Sequence, residues 1–104
     1  MATRHLLLQQ FRVALDKLYG TRIDRVVLYG SRARGDAHVD SDYDVAVFIT
    51  DLADRWSELK RLADIETDFL YATGAVVNAL PFRADSYQDR TPLMHEIRRD
   101  GLDL

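Results

Sequence analysis

Fifteen residues near the middle of the chain contain two groups of side chains suited to phosphate and metal chemistry. Gly30 and Ser31 are separated by ten residues from Asp42 and Asp44, with a short apolar run before the segment and another after it. A glycine after a buried strand lets a ligand approach the backbone closely, and the N–H groups of a following helical turn attract anions. The spacing therefore predicts a phosphate-binding turn beside a pair of carboxylates.

Asp42 and Asp44 are predicted to project from the same face of a strand. In an extended chain, residues two apart share a face, with Cα atoms roughly 6.5–7 Å apart. Carboxylate oxygens are preferred ligands of Mg²⁺, which commonly bridges to substrate phosphates. Without a cation the two charges repel each other. The alternative is that segment 40–44 is an acidic, solvated turn leading into the strand.

Two arginines follow Ser31 closely enough to contribute to the same phosphate site. The guanidinium groups of Arg32 and Arg34 can bind phosphate oxygens through paired hydrogen bonds, and the Ser31 hydroxyl can add another. The alternative is that both arginines lie on a solvated face. The sequence shows no His or Lys partner for Ser31, so we do not predict it to be a nucleophile.

The surrounding sequence predicts alternating helices and strands. The fold class is a small α/β (α+β) domain: a mixed sheet of about three strands with flanking helices, formed by residues 1–104 as a single domain. Thr3 is a candidate cap for the first helix, whose predicted buried stripe is Leu7, Phe11, Ala14 and Leu18. Helices are predicted at 3–19, 53–73 and 92–100, a helical turn at 32–36, and strands at 23–29, 43–49 and 75–82.

Composition limits the classes of partner. The net charge of −3 argues against broad adhesion to nucleic acid, and we expect no direct nucleic-acid partner. No apolar run approaches the roughly 20 residues that a bilayer crossing needs, so we expect no membrane partner. The chain has no cysteine, which excludes disulfides and thiolate metal sites and favours a cytoplasmic location.

Two segments together resemble a known family. Residues 28–36, Leu-Tyr-Gly-Ser-Arg-Ala-Arg-Gly-Asp, and residues 40–47, Asp-Ser-Asp-Tyr-Asp-Val-Ala-Val, resemble the core signature of minimal nucleotidyltransferases of the DNA polymerase beta superfamily. The closing segment 92–101 is also similar to such proteins. The resemblance implies a polymerase-beta-like nucleotidyltransferase fold.

The resemblance also implies roles for the four residues singled out above. By it, Gly30 and Ser31 hold the triphosphate of ATP, and Asp42 and Asp44 coordinate Mg²⁺. The family reaction transfers a nucleoside monophosphate from a nucleoside triphosphate to a hydroxyl and releases pyrophosphate. Such chemistry needs positioned charge more than a covalent protein group.

The chain departs from the family pattern at one position. Many members place a third carboxylate on the next core strand, whereas strand 75–82 offers only Asn78 as a polar side chain. An amide oxygen can ligate Mg²⁺ but cannot act as a base. Asp85 lies downstream, and Asp36 or Asp40 could contribute from the loop. The alternative for Asn78 is a solvent-facing residue of an edge strand. The pattern thus favours nucleotide binding more strongly than turnover.

Minimal proteins of this family are often paired with a small helical protein of the HEPN class, as antitoxin and toxin. The resemblance implies that this chain transfers AMP from ATP to a hydroxyl, expected to be a tyrosine, of such a toxin within a hetero-oligomer. One alternative is a catalytically weak or silent module that neutralises its partner by complex formation, with apolar residues such as Leu6, Leu8 and Met94 at the contact. A further alternative is modification of a small alcohol.

Overall fold

The computed structural model describes the backbone of residues 2–104 and the side chains of residues 6–104, so the predicted cap Thr3 lies outside the described side chains. Short 3-10 turns at Gly20–Arg22 and Ala84–Gln88 join some of the elements. In chain order the helices and strands are α1 (Ala2–Tyr19), β1 (Ile23–Tyr29), α2 (Ser31–Arg34), β2 (Tyr43–Ile49), α3 (Arg55–Thr73), β3 (Val77–Arg83), α4 (Pro92–Asp100) and β4 (Leu102–Asp103).

The strands form one mixed sheet in the order β3-β2-β1-β4. Strand β2 is antiparallel to β1 and parallel to β3, and β4 is antiparallel to β1. The sequence-based bounds of β1 and β2 coincide with the observed ones, because both strands are short apolar runs bounded by turn residues. Strand β3 lies at an edge, which is where its Pro81 is tolerated.

The sheet has four strands in place of the predicted three or so. Strand β4 is only two residues long, Leu102 and Asp103, which pair with Leu28 and Val27. Two residues are too few to show an alternating pattern, so no sequence signal predicts this strand. Gly101 makes the pairing possible, because a Cβ there would lie 2.4 Å from the Val27 side chain.

Helices cover both faces of the sheet. Leu15 of α1 and Leu62 of α3 pack with the β2 residues Val45 and Val47 on one face. The other face, which carries Val27 and Phe48, is covered by α4 residues Met94 and Ile97. None of the helices in the described part of the chain has an apolar stretch long enough to cross a bilayer.

The buried stripe of α1 differs from the predicted one. Leu18 is 40% exposed, whereas Tyr19 is buried. Both stripes include Phe11 and satisfy helical spacing, so the sequence alone did not distinguish them. Packing against the sheet and α3 selects the second, which consists of Leu8, Phe11, Leu15 and Tyr19.

Side chains from α3 occupy the free edge of β3. One Glu66 carboxylate oxygen accepts a hydrogen bond from the Ala79 N–H at 2.7 Å, and the Arg55 guanidinium donates to the Pro81 carbonyl. Burial raises the pKa of Glu66 above its ordinary value, although the Ala79 N–H opposes this. These contacts satisfy backbone groups that would otherwise be open to pairing with another strand. They also hold β3 in place beside β2.

Candidate functional site

Gly30 connects β1 to α2 and lies against a carboxylate. Its backbone angles, φ 74° and ψ −156°, belong to a region that is essentially open to glycine alone. A Cβ at this position would lie 2.6 Å from the Asp44 Oδ2 atom. The predicted phosphate turn and the predicted metal ligand are therefore in direct contact in the folded chain.

The turn after Gly30 is a single helical turn, as predicted, although it begins at Ser31 and ends at Arg34. The Gly30 carbonyl accepts hydrogen bonds from the N–H groups of Ala33 and Arg34, each at 3.1 Å. The first N–H groups of a helix have no partner within it. Those of Ser31 and Arg32 can therefore donate hydrogen bonds to a bound anion. Ser31 is half-buried at the start of the turn.

Asp42, Asp44 and Asn78 meet at the same end of the sheet. The register places Asp44 between Tyr29 of β1 and Asn78 of β3. Asp42 lies just before β2, and its Oδ2 accepts a hydrogen bond from Asn78 Nδ2 at 2.9 Å. Asn78 is exposed, but its amide group is bonded to Asp42. The side chain therefore does not simply face solvent.

Electrostatic conditions at this cluster favour a bound cation. Burial raises the pKa of Asp44, the charges of Asp42 and Glu96 raise it further, and the Asn78 amide and Arg34 guanidinium oppose the increase. A divalent cation between the carboxylates would relieve this repulsion. The oxygen donors fit Mg²⁺. Within residues 6–104 no cluster of three or more acidic or histidine side chains comes together as a metal site, so the fit rests on two carboxylates.

The two predicted phosphate-binding arginines have different surroundings. Arg34 forms ion pairs with Asp36 at 3.4 Å and with Glu96 of α4 at 3.2 Å. Arg32 instead donates to the backbone carbonyls of Val39 and Ser41. Arg34 is exposed, and a phosphate could replace its carboxylate partners there. The Arg32 guanidinium is instead engaged within the loop that leads to β2.

The other candidate acids lie apart from the carboxylate pair. Asp85 lies in the 3-10 turn that follows β3, beyond the strand end opposite Asn78, and lines a separate open cleft with Thr50 and Asp51. Asp36 is paired with Arg34, and Asp40 is exposed in the loop before β2. None of the three replaces the missing acid of β3.

Glu96 is a site residue that the sequence analysis did not single out. It lies on α4 between the inward-facing Met94 and Ile97, is half-buried, and affects the pKa of both Asp44 and Tyr29. The closing segment of the chain contained it, but no local pattern indicates that α4 packs over the end of β1. That information is available only from the packed structure.

Comparisons with known proteins agree with this geometry. A family model described as "Polymerase beta, Nucleotidyltransferase" matches residues 15–102. A candidate protein adenylyltransferase from Methanocaldococcus jannaschii is 33% identical over 73 residues, which cover 70% of this chain and 67% of that protein.

Solved structures share the fold at low sequence identity. A chain in the crystal structure of a toxin–antitoxin pair with AMP-PNP is 21% identical, with a TM-score of 0.61 over 90% of this chain and 69% of that one. A structure of the tri-AMPylated Shewanella oneidensis HEPN toxin in complex with MNT antitoxin contains a chain that is 19% identical, with a TM-score of 0.52 over 91% of this chain and 69% of that one.

The family model covers most of the chain, and the match to the Methanocaldococcus jannaschii relative covers 67% of that protein. The strand, the turn and the paired carboxylates that resemble the family's signature lie together at one end of the sheet. The chain therefore belongs to the polymerase beta nucleotidyltransferase family.

Proposed function

We propose that this chain is a Mg²⁺-dependent adenylyltransferase that transfers AMP from ATP to a hydroxyl of a HEPN-type toxin. The expected acceptor is a tyrosine, and the chain would act as the antitoxin of that toxin. The relative from Methanocaldococcus jannaschii supports adenylyl transfer, and the AMP-PNP and AMPylated-toxin structures support the nucleotide and the partner. The protein would act in the cytoplasm as part of a hetero-oligomer, with residues 1–104 as its single catalytic domain.

One contact carries the proposal. The Asp44 Oδ2 atom lies where a side chain of Gly30 would be, at 2.6 Å from that Cβ position. A phosphate held by the turn is therefore adjacent to a cation held by the carboxylates, as Mg²⁺ bound to a nucleoside triphosphate requires. An ordinary acidic surface loop would not need a glycine in this conformation against a carboxylate.

The chain's residues can support an in-line transfer. The acceptor oxygen forms a bond to the α-phosphorus of ATP, the bond from that phosphorus to the bridging oxygen breaks, and pyrophosphate leaves. Ser31 and the N–H groups of the turn would hold the phosphates, with Arg34 at the rim. Mg²⁺ held by Asp42 and Asp44 would supply positive charge to the phosphate oxygens. The hydroxyl proton would pass to solvent water, because Asp42 and Asp44 are engaged as the ligands of the cation.

The decisive experiment incubates the purified chain and the protein encoded by the adjacent reading frame with ATP labelled on either the α- or the γ-phosphate. We expect Mg²⁺-dependent transfer of the α label alone, a mass increase of the partner equal to AMP, and loss of both on addition of EDTA. Tandem mass spectrometry then locates the modified hydroxyl.

The outcomes separate the proposal from its alternatives. Neutralisation of the partner without any label would contradict transfer and support a silent binding module, which the neutral Asn78 would explain. Label on a small alcohol but never on the protein would contradict the proposed acceptor. Modification at serine or threonine would retain the reaction and refute the tyrosine assignment.

Asn78→Asp should strengthen the metal site. The change places a third carboxylate in register with Asp44, and the charge count of a site tunes its cation affinity. We expect the Mg²⁺ concentration for half-maximal activity to fall on the order of tenfold, and the melting temperature without a cation to fall because a third negative charge is added. Asn78→Ala is the control, since it removes the bond to Asp42 without adding charge. Equal loss of activity in both variants would show that the amide itself is needed.

A further inference from the structure

Arg32 links the phosphate turn to the residue that precedes the first carboxylate. Its Nε atom donates to the Ser41 carbonyl at 3.1 Å, and its Nη2 atom donates to the same carbonyl at 2.7 Å and to the Val39 carbonyl at 3.1 Å. Ser41 is followed directly by Asp42. The guanidinium therefore fixes the backbone on the N-terminal side of Asp42 relative to α2.

The same guanidinium also contacts the residue on the other side of Asp42. The Arg32 Cζ atom lies 4.2 Å from the centroid of the Tyr43 ring, and Tyr43 is buried in the core at the start of β2. A guanidinium over an aromatic face gains from both the ring's charge distribution and its apolar surface. Arg32 thus holds the chain on both sides of Asp42.

The loop from Gly35 to Asp42 depends on few other contacts. It contains no regular secondary structure. Inside it, the Ser41 N–H donates to the His38 carbonyl at 3.1 Å, and the Ser41 Oγ accepts from the His38 N–H at 2.8 Å. Val39, at its tip, is 92% exposed and contributes little to the core. At its start, the Gly35 and Asp36 N–H groups donate to the Ser31 carbonyl at 3.0 and 3.2 Å. Farther along, from residue 37 to residue 42, the described hydrogen bonds to the phosphate turn come from the Arg32 side chain.

We propose that Arg32 is a positioning residue, which sets the place of Asp42 relative to the Gly30–Ser31 turn instead of binding the triphosphate. Arg34, which is exposed and paired with Asp36 and Glu96 at the rim, is the arginine available to the phosphates. The catalytic part of this inference rests on the proposed function. The part that concerns loop order rests on the contacts alone and holds for a silent binding module as well.

The test compares Arg32→Lys with Arg34→Lys. A lysine keeps the positive charge but cannot form the guanidinium fork or stack in the same way. Amide hydrogen exchange over residues 38–42, measured without nucleotide, should become about tenfold faster or more in Arg32→Lys, because bonds to a charged donor are lost, and should be unchanged in Arg34→Lys. Arg32→Gln, which removes the charge, should loosen the loop at least as much. Arg32 is only half-buried, and melting curves verify that each variant folds.

The kinetic arm distinguishes positioning from phosphate binding. In Arg32→Lys we expect kcat to fall and the Mg²⁺ requirement to rise, each on the order of tenfold, with KM for ATP little changed. In Arg34→Lys, KM for ATP should rise instead. Unchanged loop exchange in Arg32→Lys overturns the inference whether or not the wild type transfers AMP. A rise in KM with kcat retained also overturns it, since that result identifies a phosphate ligand.

Discussion

We expect that replacing Asp42 and Asp44 together by asparagine abolishes the proposed AMP transfer, with a loss of about 1,000-fold or more, because a cation that offsets phosphate charge would no longer be held. Asparagine keeps the shape of each side chain, so the fold is retained. Label incorporation into the partner measures the loss. Asp64→Asn, at an exposed position of α3, removes one negative charge away from the site and serves as the control.

The same pair of substitutions should not destabilise the metal-free protein. Because burial raises the pKa of Asp44, the folded state binds a proton more tightly than the unfolded chain does. The free energy of unfolding therefore declines as the pH rises through that raised pKa, and the double variant lacks this decline. Urea titrations at a series of pH values, with EDTA present, measure the difference. A double variant that melts well below the wild type would indicate that the carboxylates are structural.

Transfer that persists in the folded double variant would refute the proposed mechanism. Toxin neutralisation that persists while transfer is lost would support the alternative, in which the chain neutralises its partner by complex formation. The two readouts must therefore be measured on the same preparation, because activity alone does not separate an antitoxin enzyme from an antitoxin that only binds.

Gly30→Ala should have the next largest effect, and it acts on both stability and activity. A Cβ would meet the Asp44 Oδ2 atom at 2.6 Å, and a backbone with φ 74° and ψ −156° strains any L side chain. We expect Asp44 to be displaced, with transfer reduced on the order of 100-fold, since small misplacements of reacting groups are costly. Melting curves and label incorporation measure the two effects.

Gly20→Ala is the matched control, because Gly20 also has a positive φ of 58° but a Cβ there meets nothing within 4 Å. It should cost about 1–2 kcal/mol of unfolding free energy and leave activity unchanged. Asp44→Ala supplies a second check, because removing the carboxylate removes the collision. Gly30→Ala should therefore cost less stability in the Asp44→Ala background. Equal costs in both backgrounds would show that the close contact is unimportant.

Several features of the site were available from the sequence because they are local. The bounds of β1 and β2 followed from short apolar runs, and the turn between them from Gly30 and the residues after it. Asp42 and Asp44 share one face because strand periodicity requires it. Their place in one signature was enough to suggest the family that the comparisons show.

Other features depended on contacts between residues distant in the chain. Trp56, an apolar residue near the start of α3, is 76% exposed, whereas Glu58, two residues later, is 4% exposed. Glu58 is paired with Arg22, which precedes β1 in sequence. A buried acid is tolerated only with such a partner, and helical periodicity does not reveal a partner from another element.

The sequence by itself determined that a strand ending in a glycine turn is followed by paired carboxylates, since backbone conformation over a few residues is set by side-chain type and spacing. Only the tertiary structure decided that Asn78 stands beside Asp44, that Glu96 approaches from α4, and that Arg32 is directed to the loop. These placements depend on strand register and helix packing, which are set by the complementary shapes and charges of residues far apart in the chain. The residues of the motif could therefore be identified from the local sequence, whereas the neighbours that complete the site could not.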